Sequence, residues 1–216
     1  MLIGMRNAIL AGGAAPGPTP AYWGLCFTAE ADNSSVQLTA VGSPPAVTLV
    51  KSFDGINWEA YAVGEVIDLP STGDLVYLAA GEGGNESFGS STQEYHNFVI
   101  NGLVAASGDI TSLRRFDLEQ TTLADYCYTS MFYGCTGLTS APELPATTLK
   151  TSCYASMFNG CTGLSLIKVH FTAWGTQTTN WVSNVSPTGT FYKPTALTEE
   201  YGTSKIPTGW TVVNID

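Results

Sequence analysis

One stretch of this sequence is written twice. Residues 121–139 read TTLADYCYTSMFYGCTGLT and residues 147–165 read TTLKTSCYASMFNGCTGLS, one 26-residue period apart. Self-similarity at a period of roughly 20 to 50 residues marks stacked units, each of which leaves an apolar face that only its neighbour can cover. The duplication therefore predicts that part of the core is laid down in layers, and that the chain is built to present a surface.

Within each unit two halves are distinguishable. Residues 123–133 and 149–159 read as a short helix stopped by Gly134 or Gly160, where glycine can take the left-handed closing conformation. At about 100° per residue, Cys127, Tyr128, Met131 and Phe132 share one face, with Cys153, Tyr154, Met157 and Phe158 in the copy; these are the expected buried positions. Tyr126 and Tyr133 point the other way, where the copy carries Ser152 and Asn159. The second half, GLTSAPELPATT, holds two prolines that exclude a central antiparallel strand. A short extended rung with Leu138 and Leu144 inward fits it. The four repeat cysteines have a C-x7-C spacing unlike a zinc knuckle, so they read as reduced core residues, as does Cys26. No metal or other cofactor is expected.

Ahead of the repeat, residues 21–108 change pattern to short alternating segments: WGLCFTA, SVQLTA, AVTLVKS, NWEAYAV, EVIDL, LVYLAAG, HNFVI and GLVAAS, bounded by DNSS, GSPP, DGIN, PSTGD and GEGGNESFGSS. Seven or eight strands of this length predict a small antiparallel, Ig-like β-sandwich. Asp54-Gly55 within it is a hairpin signal. The surrounding Ser52-to-Trp58 segment also brushes against the Asp-box of sialidase propellers, one residue short and in a single copy. Residues 109–122 read as a join in which Leu113, Phe116 and Leu118 cap the open end of the stack.

Residues 1–20 form an apolar tip followed by a Gly/Ala/Pro linker ending in Pro16, Pro18 and Pro20. This composition cannot bury enough surface to fold alone. Two readings stand: a disordered tail, or a peg in which Leu2, Ile3, Met5, Ile9 and Leu10 insert into a larger assembly. The strongly apolar part, Ala8 to Leu10, is too short for the core of a secretory leader. No run approaches the eighteen or so apolar residues of a membrane span. With 18 acidic against 8 basic residues, a net charge of -10 and no basic cluster larger than Arg114-Arg115, nucleic acid and anionic membrane are poor partners.

The pattern M-F-x-G-C-T-G-L-T followed by A-P-E-L-P-A-T-T-L resembles the bacterial leucine-rich repeats of the BspA type, with Phe132, Cys135 and Leu138 matching in one unit and Phe158, Cys161 and Leu164 in the next. The segment from Asn180-Trp181-Val182 through Gly189-Thr190-Phe191 to Ile206-Pro207-Thr208-Gly209-Trp210-Thr211-Val212 is similar to the closing segment of such proteins. The resemblance covers residues 109–216, and the preceding domain is similar to ones found ahead of these repeats in gut Bacteroidota and their phages. It implies a mainly β chain with short helices, a leucine-rich-repeat solenoid with its cap, attachment to surfaces, and no catalytic residues.

His96 and His170 lie far apart with no nucleophile motif beside them, and no GxSxG, HExxH or phosphate loop appears. The outward aromatics Tyr126, Tyr133 and Trp174 are the binding candidates, while Trp181 and Trp210 read as plugs of the stack's end. The expectation is a non-enzymatic virion protein of a bacteriophage: a capsid decoration, head fibre or tail appendage. It would be docked on other virion proteins by its N-terminus, turned toward a host-surface glycan or protein, and present as a homo-oligomer, since two repeats leave an apolar end for a neighbour to cover. A bacterial cell-surface adhesin and a glycan-active enzyme are the alternatives.

Overall fold

The computed structural model describes residues 24–115 and 123–215, so the expected tip residues Leu2, Ile3, Met5, Ile9 and Leu10, and the expected caps Phe116 and Leu118, lie outside the described residues. The described chain is mainly β. Eight strands occupy the segments expected of them: β1 (Leu25–Ala29), β2 (Ser34–Val41), β3 (Leu49–Ser52), β4 (Glu59–Tyr61), β5 (Val66–Leu69), β6 (Leu75–Ala80), β7 (Tyr95–Asn101) and β8 (Val104–Ser107). They divide between two sheets, β8-β1-β6-β3-β4 and β5-β2-β7, paired antiparallel throughout. The alternation of β2, with Ser34, Val36 and Leu38 buried and the residues between them not, turns its apolar side toward the other sheet. Phe27 of β1 and Phe98 of β7 meet there edge to face, centroids 4.9 Å apart.

The first sheet does not stop at β8. Four further strands, β9 (Leu138–Ser140), β10 (Leu166–Lys168), β11 (Thr190–Pro194) and β12 (Thr211–Ile215), add to it in parallel and in chain order, giving nine strands ordered β12-β11-β10-β9-β8-β1-β6-β3-β4. Leu138, Leu144, Ile167 and Phe191 point inward from these rungs, all fully buried. The buried residues of both sheets and of the repeats belong to one apolar core.

The helix expected over 123–133 and 149–159 is absent. Each segment is a ribbon of turns in which every fourth residue is left-handed: Tyr126, Ser130 and Gly134 in the first, Ser152, Ser156 and Gly160 in the second, with φ between 50° and 83°. Alternate amides serve different partners. Thr129, Met131, Tyr133 and Cys135 donate three residues back, while Tyr126, Tyr128, Ser130, Phe132 and Gly134 donate across to Thr151, Cys153, Ala155, Met157 and Asn159 of the next unit. A helix would spend every amide on its own chain. The ribbon spends half of them on its neighbour, which is how it stacks. Both geometries bury residue pairs four apart, so the eight expected inward side chains are buried as expected.

A third ribbon follows the two copies. Asn180 and Asn184 are its left-handed residues, and Tyr154, Ser156, Phe158 and Gly160 donate to the carbonyls of Gln177, Thr179, Trp181 and Ser183. Trp181 and Val182 thus stand where Met157 and Phe158 stand one layer below. The three layers align two aromatic columns. One runs Phe98, Phe132, Phe158, Trp181 and the other Phe88, Tyr128, Tyr154, Trp181, with neighbouring centroids 5.2–6.5 Å apart. Above the third ribbon Leu197, Ile206 and Trp210 are buried in turn, so the apolar end that was to call for a neighbouring subunit is covered within the chain.

The second column contains an unequal pair of phenols. Tyr128 donates its hydroxyl to the Ile110 carbonyl at 3.2 Å, whereas the fully buried Tyr154 hydroxyl has no partner among the described residues. An unsatisfied buried hydroxyl costs about 1–3 kcal/mol, and a satisfied one contributes about 1 kcal/mol. Tyr154→Phe is therefore expected to leave stability unchanged or raise it by about 1 kcal/mol, and Tyr128→Phe to lower it by a similar amount. Urea midpoints of the two variants should move to opposite sides of the parent.

Candidate functional site

The three aromatic binding candidates separate in space and in kind. Tyr126 and Tyr133 stand at the two ends of the first ribbon, Tyr126 part-buried in a left-handed conformation and Tyr133 49% exposed. Tyr126 is a costly residue for that conformation, which a Cβ disfavours, and its counterpart in the copy is the smaller Ser152. Trp174 belongs elsewhere, in the loop between β10 and the third ribbon. Its ring packs on Phe171, Trp181 and Phe191, its Nε1–H donates to the Thr198 carbonyl at 2.8 Å, and the Lys205 ammonium lies 5.4 Å from its ring centroid. No ring contact joins the three to one another among the described residues. Tyr133 is the most accessible of them. Trp181 and Trp210 are interior, their Nε1–H groups donating at 2.8 Å to Lys205 and Ser186 carbonyls.

An ionic cluster sits on the rungs, formed by residues that the sequence does not group. The Glu143 Oε1 accepts from Lys168 Nζ at 2.6 Å and from His170 Nε2 at 2.7 Å. Partial burial pushes the Glu143 carboxyl up, but hydrogen bonds from Lys168 and His170 outweigh it and hold the group below its ordinary range. The signal that could find the cluster is its spacing: 143 to 168–170 is one period, and residues one period apart are lateral neighbours in a stack.

The Asp54 loop is organised around its carboxylate. Oδ1 accepts from the Ser52 hydroxyl (2.9 Å) and from the Ile56 and Asn57 amides (2.8 and 2.7 Å), while Oδ2 accepts from Asn57 Nδ2 (2.6 Å). The Asn57 and Ile56 amides drive its pKa far down. Such a group closes a turn and makes a poor proton donor. Trp58 beside it is half-buried.

All five cysteines are free and buried. The Cys135 and Cys161 thiols donate to the carbonyls of Phe98 and Phe132, each one layer below, at 3.0 and 2.9 Å. Burial pushes Cys127 up to about 11 and Cys135 and Cys153 up to about 12. Thiols so far from ionisation are poor nucleophiles at neutral pH. Among the described residues no group of three or more His, Cys, Asp or Glu could hold a metal ion, and no helix is long and apolar enough to cross a membrane. A shallow cleft of about 550 Å³ between the starts of the first two ribbons and the β2–β3 and β6–β7 connections is lined by Asn85, Ser87, Leu123, Asp125 and Lys150 among others.

His96 is buried with Nδ1 3.1 Å from the Phe88 carbonyl, and burial lowers its pKa below the ordinary 6.5. The folded state then resists a proton that the unfolded chain accepts near pH 6.5. Its contribution to stability is complete above that pH, falls as the pH drops from 6.5 through the lowered folded value, and levels off below it. Denaturation at pH 7.5 and pH 5 should show this loss in the parent and a smaller one in His96→Gln.

No protein-family model, curated protein or solved structure matches the chain.

Proposed function

We propose that the chain is a non-enzymatic structural and attachment protein of a bacteriophage virion: an Ig-like β-sandwich continued by a short leucine-rich-repeat solenoid, docked on the particle through residues 1–20 and carried in more than one copy. The supporting observation is the unbroken core. The aromatic columns start in the antiparallel part, at Phe88 of the β6–β7 connection and Phe98 of β7, and run through every layer to Trp181, so the two parts form one stiff body with a continuous apolar interior. A stiff body with a short apolar peg suits a decoration, head fibre or tail appendage. On this reading the solvent side of the first ribbon, with Tyr133 and Tyr126, is turned toward a host-surface glycan or protein, aromatic faces being suited to sugar rings and protein pockets alike.

Mass spectrometry of purified particles tests the assignment directly. Peptides of this chain should be found in the virion at structural copy number. Their absence there, with the protein recovered from the bacterial surface instead, gives the adhesin reading. The ribbon's role is tested by writing the second copy's residues into the first: Tyr126→Ser with Tyr133→Asn should keep the melting temperature while lowering binding to host cells by at least tenfold. Unchanged binding removes the ribbon from recognition.

A further inference from the structure

We propose that Asn101 is a self-modifying site: its side-chain amide closes on the Gly102 nitrogen, and the ring opens to aspartate or isoaspartate in the turn on which the first repeat is seated.

A succinimide closes most readily where the next residue has no side chain to obstruct its nitrogen. The sequence offers three such places, Asn101-Gly102, Asn159-Gly160 and Asp54-Gly55. The fold shuts two of them. At 159–160 both sides of the peptide are tied laterally: the Gly160 amide donates to the Ser183 carbonyl at 2.8 Å, and the Asn159 carbonyl accepts from the Gly134 amide at 2.8 Å. At 54–55 the Gly55 amide donates to the Ser52 hydroxyl at 2.9 Å. The Asp54 carboxylate, kept ionised by its four hydrogen bonds, carries no group able to leave.

At 101–102 the reacting groups are open. Both residues are exposed, and the Asn101 Nδ2 donates only to the exposed Ser35 hydroxyl, at 3.2 Å. The Gly102 amide has no acceptor among the described residues. Asn101 is the last residue of β7, paired with Ser35, so only the end of that ladder has to loosen for the ring to close.

The chemistry balances without an oxidant or a cofactor. Base takes the Gly102 amide proton and the nitrogen attacks Asn101 Cγ. The new N–C bond forms, the Cγ–Nδ2 bond breaks, and Nδ2 takes up a proton and leaves as ammonia. Water then opens the ring. Attack at Cγ gives aspartate, and attack at the main-chain carbonyl gives isoaspartate, whose backbone runs through the former side chain.

Either product adds a negative charge, and isoaspartate also adds a methylene to the main chain. The place is sensitive to that addition. Gly102 packs on Ser34, and its carbonyl lies so close to Gly137 that a Cβ on either glycine would overlap its neighbour. The next residues hold both parts of the molecule: the Leu103 carbonyl accepts from the Glu30 amide at 2.8 Å, and the Val104 amide donates to the Gly137 carbonyl at 2.9 Å. Isoaspartate at position 101 therefore unseats the first repeat from the antiparallel strands, whereas aspartate there leaves the backbone path intact.

Time courses on the folded full chain in warm, mildly alkaline buffer test this, read by peptide mass spectrometry with fragmentation that separates isoaspartate from aspartate. Breaking two lateral hydrogen bonds before ring closure should make position 159 react at least tenfold more slowly than position 101. In urea, where both glycine amides are released, the two sites should react at similar rates. Equal or reversed rates in the folded chain, no product at position 101, or the same preference in urea overturns the proposal. The effect on the seat has its own readout. Chain enriched in isoaspartate should melt at least about 3 °C below fresh chain, roughly the shift of one lost hydrogen bond at this size. Asn101→Asp and Asn101→Gln should melt with the fresh parent, and Asn101→Gln should keep its melting temperature through the same incubation. An isoaspartate-bearing chain that melts with the parent removes the structural consequence. These results are independent of where the chain is found, so they leave the virion reading to its own test.

Discussion

Replacing Trp181 by alanine is expected to cost about 4 kcal/mol, the range for a fully buried large aromatic, and to lower the melting temperature by on the order of 10 °C in a chain of this size. The size of the effect comes from position. Trp181 is fully buried and closes both aromatic columns, with centroids 6.1–6.5 Å from Tyr154, Phe158, Phe171, Trp174 and Phe191. Its Nε1–H also holds the Lys205 carbonyl of the segment that covers the third ribbon. Truncation opens a cavity that stacked neighbours, fixed by lateral hydrogen bonds, cannot collapse to fill. Calorimetry reads the result, and a fall of less than 3 °C or so would mean that the stack does not close on this residue.

The second large effect is steric. A Cβ on Gly137 would fall inside van der Waals contact of the Gly102 carbonyl oxygen, where the first repeat meets the β7–β8 turn. A Cβ on the matched Gly163 would lie 2.7 Å from the Thr136 carbonyl oxygen, and one on Gly189 2.5 Å from that of Ser165. At each of these crossings the obstacle is backbone, which cannot rotate away. Gly137→Ala should therefore cost at least about 3 kcal/mol, at or beyond the upper end of overpacking effects. Gly134→Ala makes the contrast. That residue is left-handed (φ 74°), and nothing lies within 4 Å of the place its new methyl group would take, so only the conformational penalty of about 1 kcal/mol applies. Guanidinium denaturation of the pair should rank Gly137→Ala well below Gly134→Ala; the opposite order would show that the layers can slide apart to make room.

How much of this was legible differs by level. Strands β1 to β8 stand where alternation and turn residues put them, because a half-buried strand writes its period of two directly into the sequence. The inward set of each repeat was legible for the same reason: Cys127, Tyr128, Met131 and Phe132 must be apolar in any geometry that buries pairs four apart. The geometry itself was not. A helix and a spiral of four-residue turns bury the same pairs, and they differ in where the amides go, which side chains do not record. The trace that distinguishes them is the small or polar residue at every fourth position, Ser130 and Gly134, then Ser156 and Gly160, then Asn180 and Asn184. That trace also marks the third ribbon, which the change of text after Ser165 conceals.

At the candidate site, legibility ran the other way. The difference between copies singled out Tyr126 and Tyr133, and both reach the solvent side of the ribbon. Trp174 stood out on residue type alone; the structure packs its ring on the core and sets Lys205 against it. Glu143, Lys168 and His170 were invisible as a group because their nearness is lateral, across one period, and a reading along the chain treats them as strangers.

The lateral bonding of the ribbons sets how this molecule could change length. Each unit of 26 residues advances the stack by a single strand spacing, about 4.8 Å, where the same residues in a helix would reach about 39 Å. The fold is thus a coarse ruler with fine divisions. Whole units can be inserted or deleted between the antiparallel strands and Trp181 without disturbing either end, and each such step shifts the far face by little more than the width of one side chain.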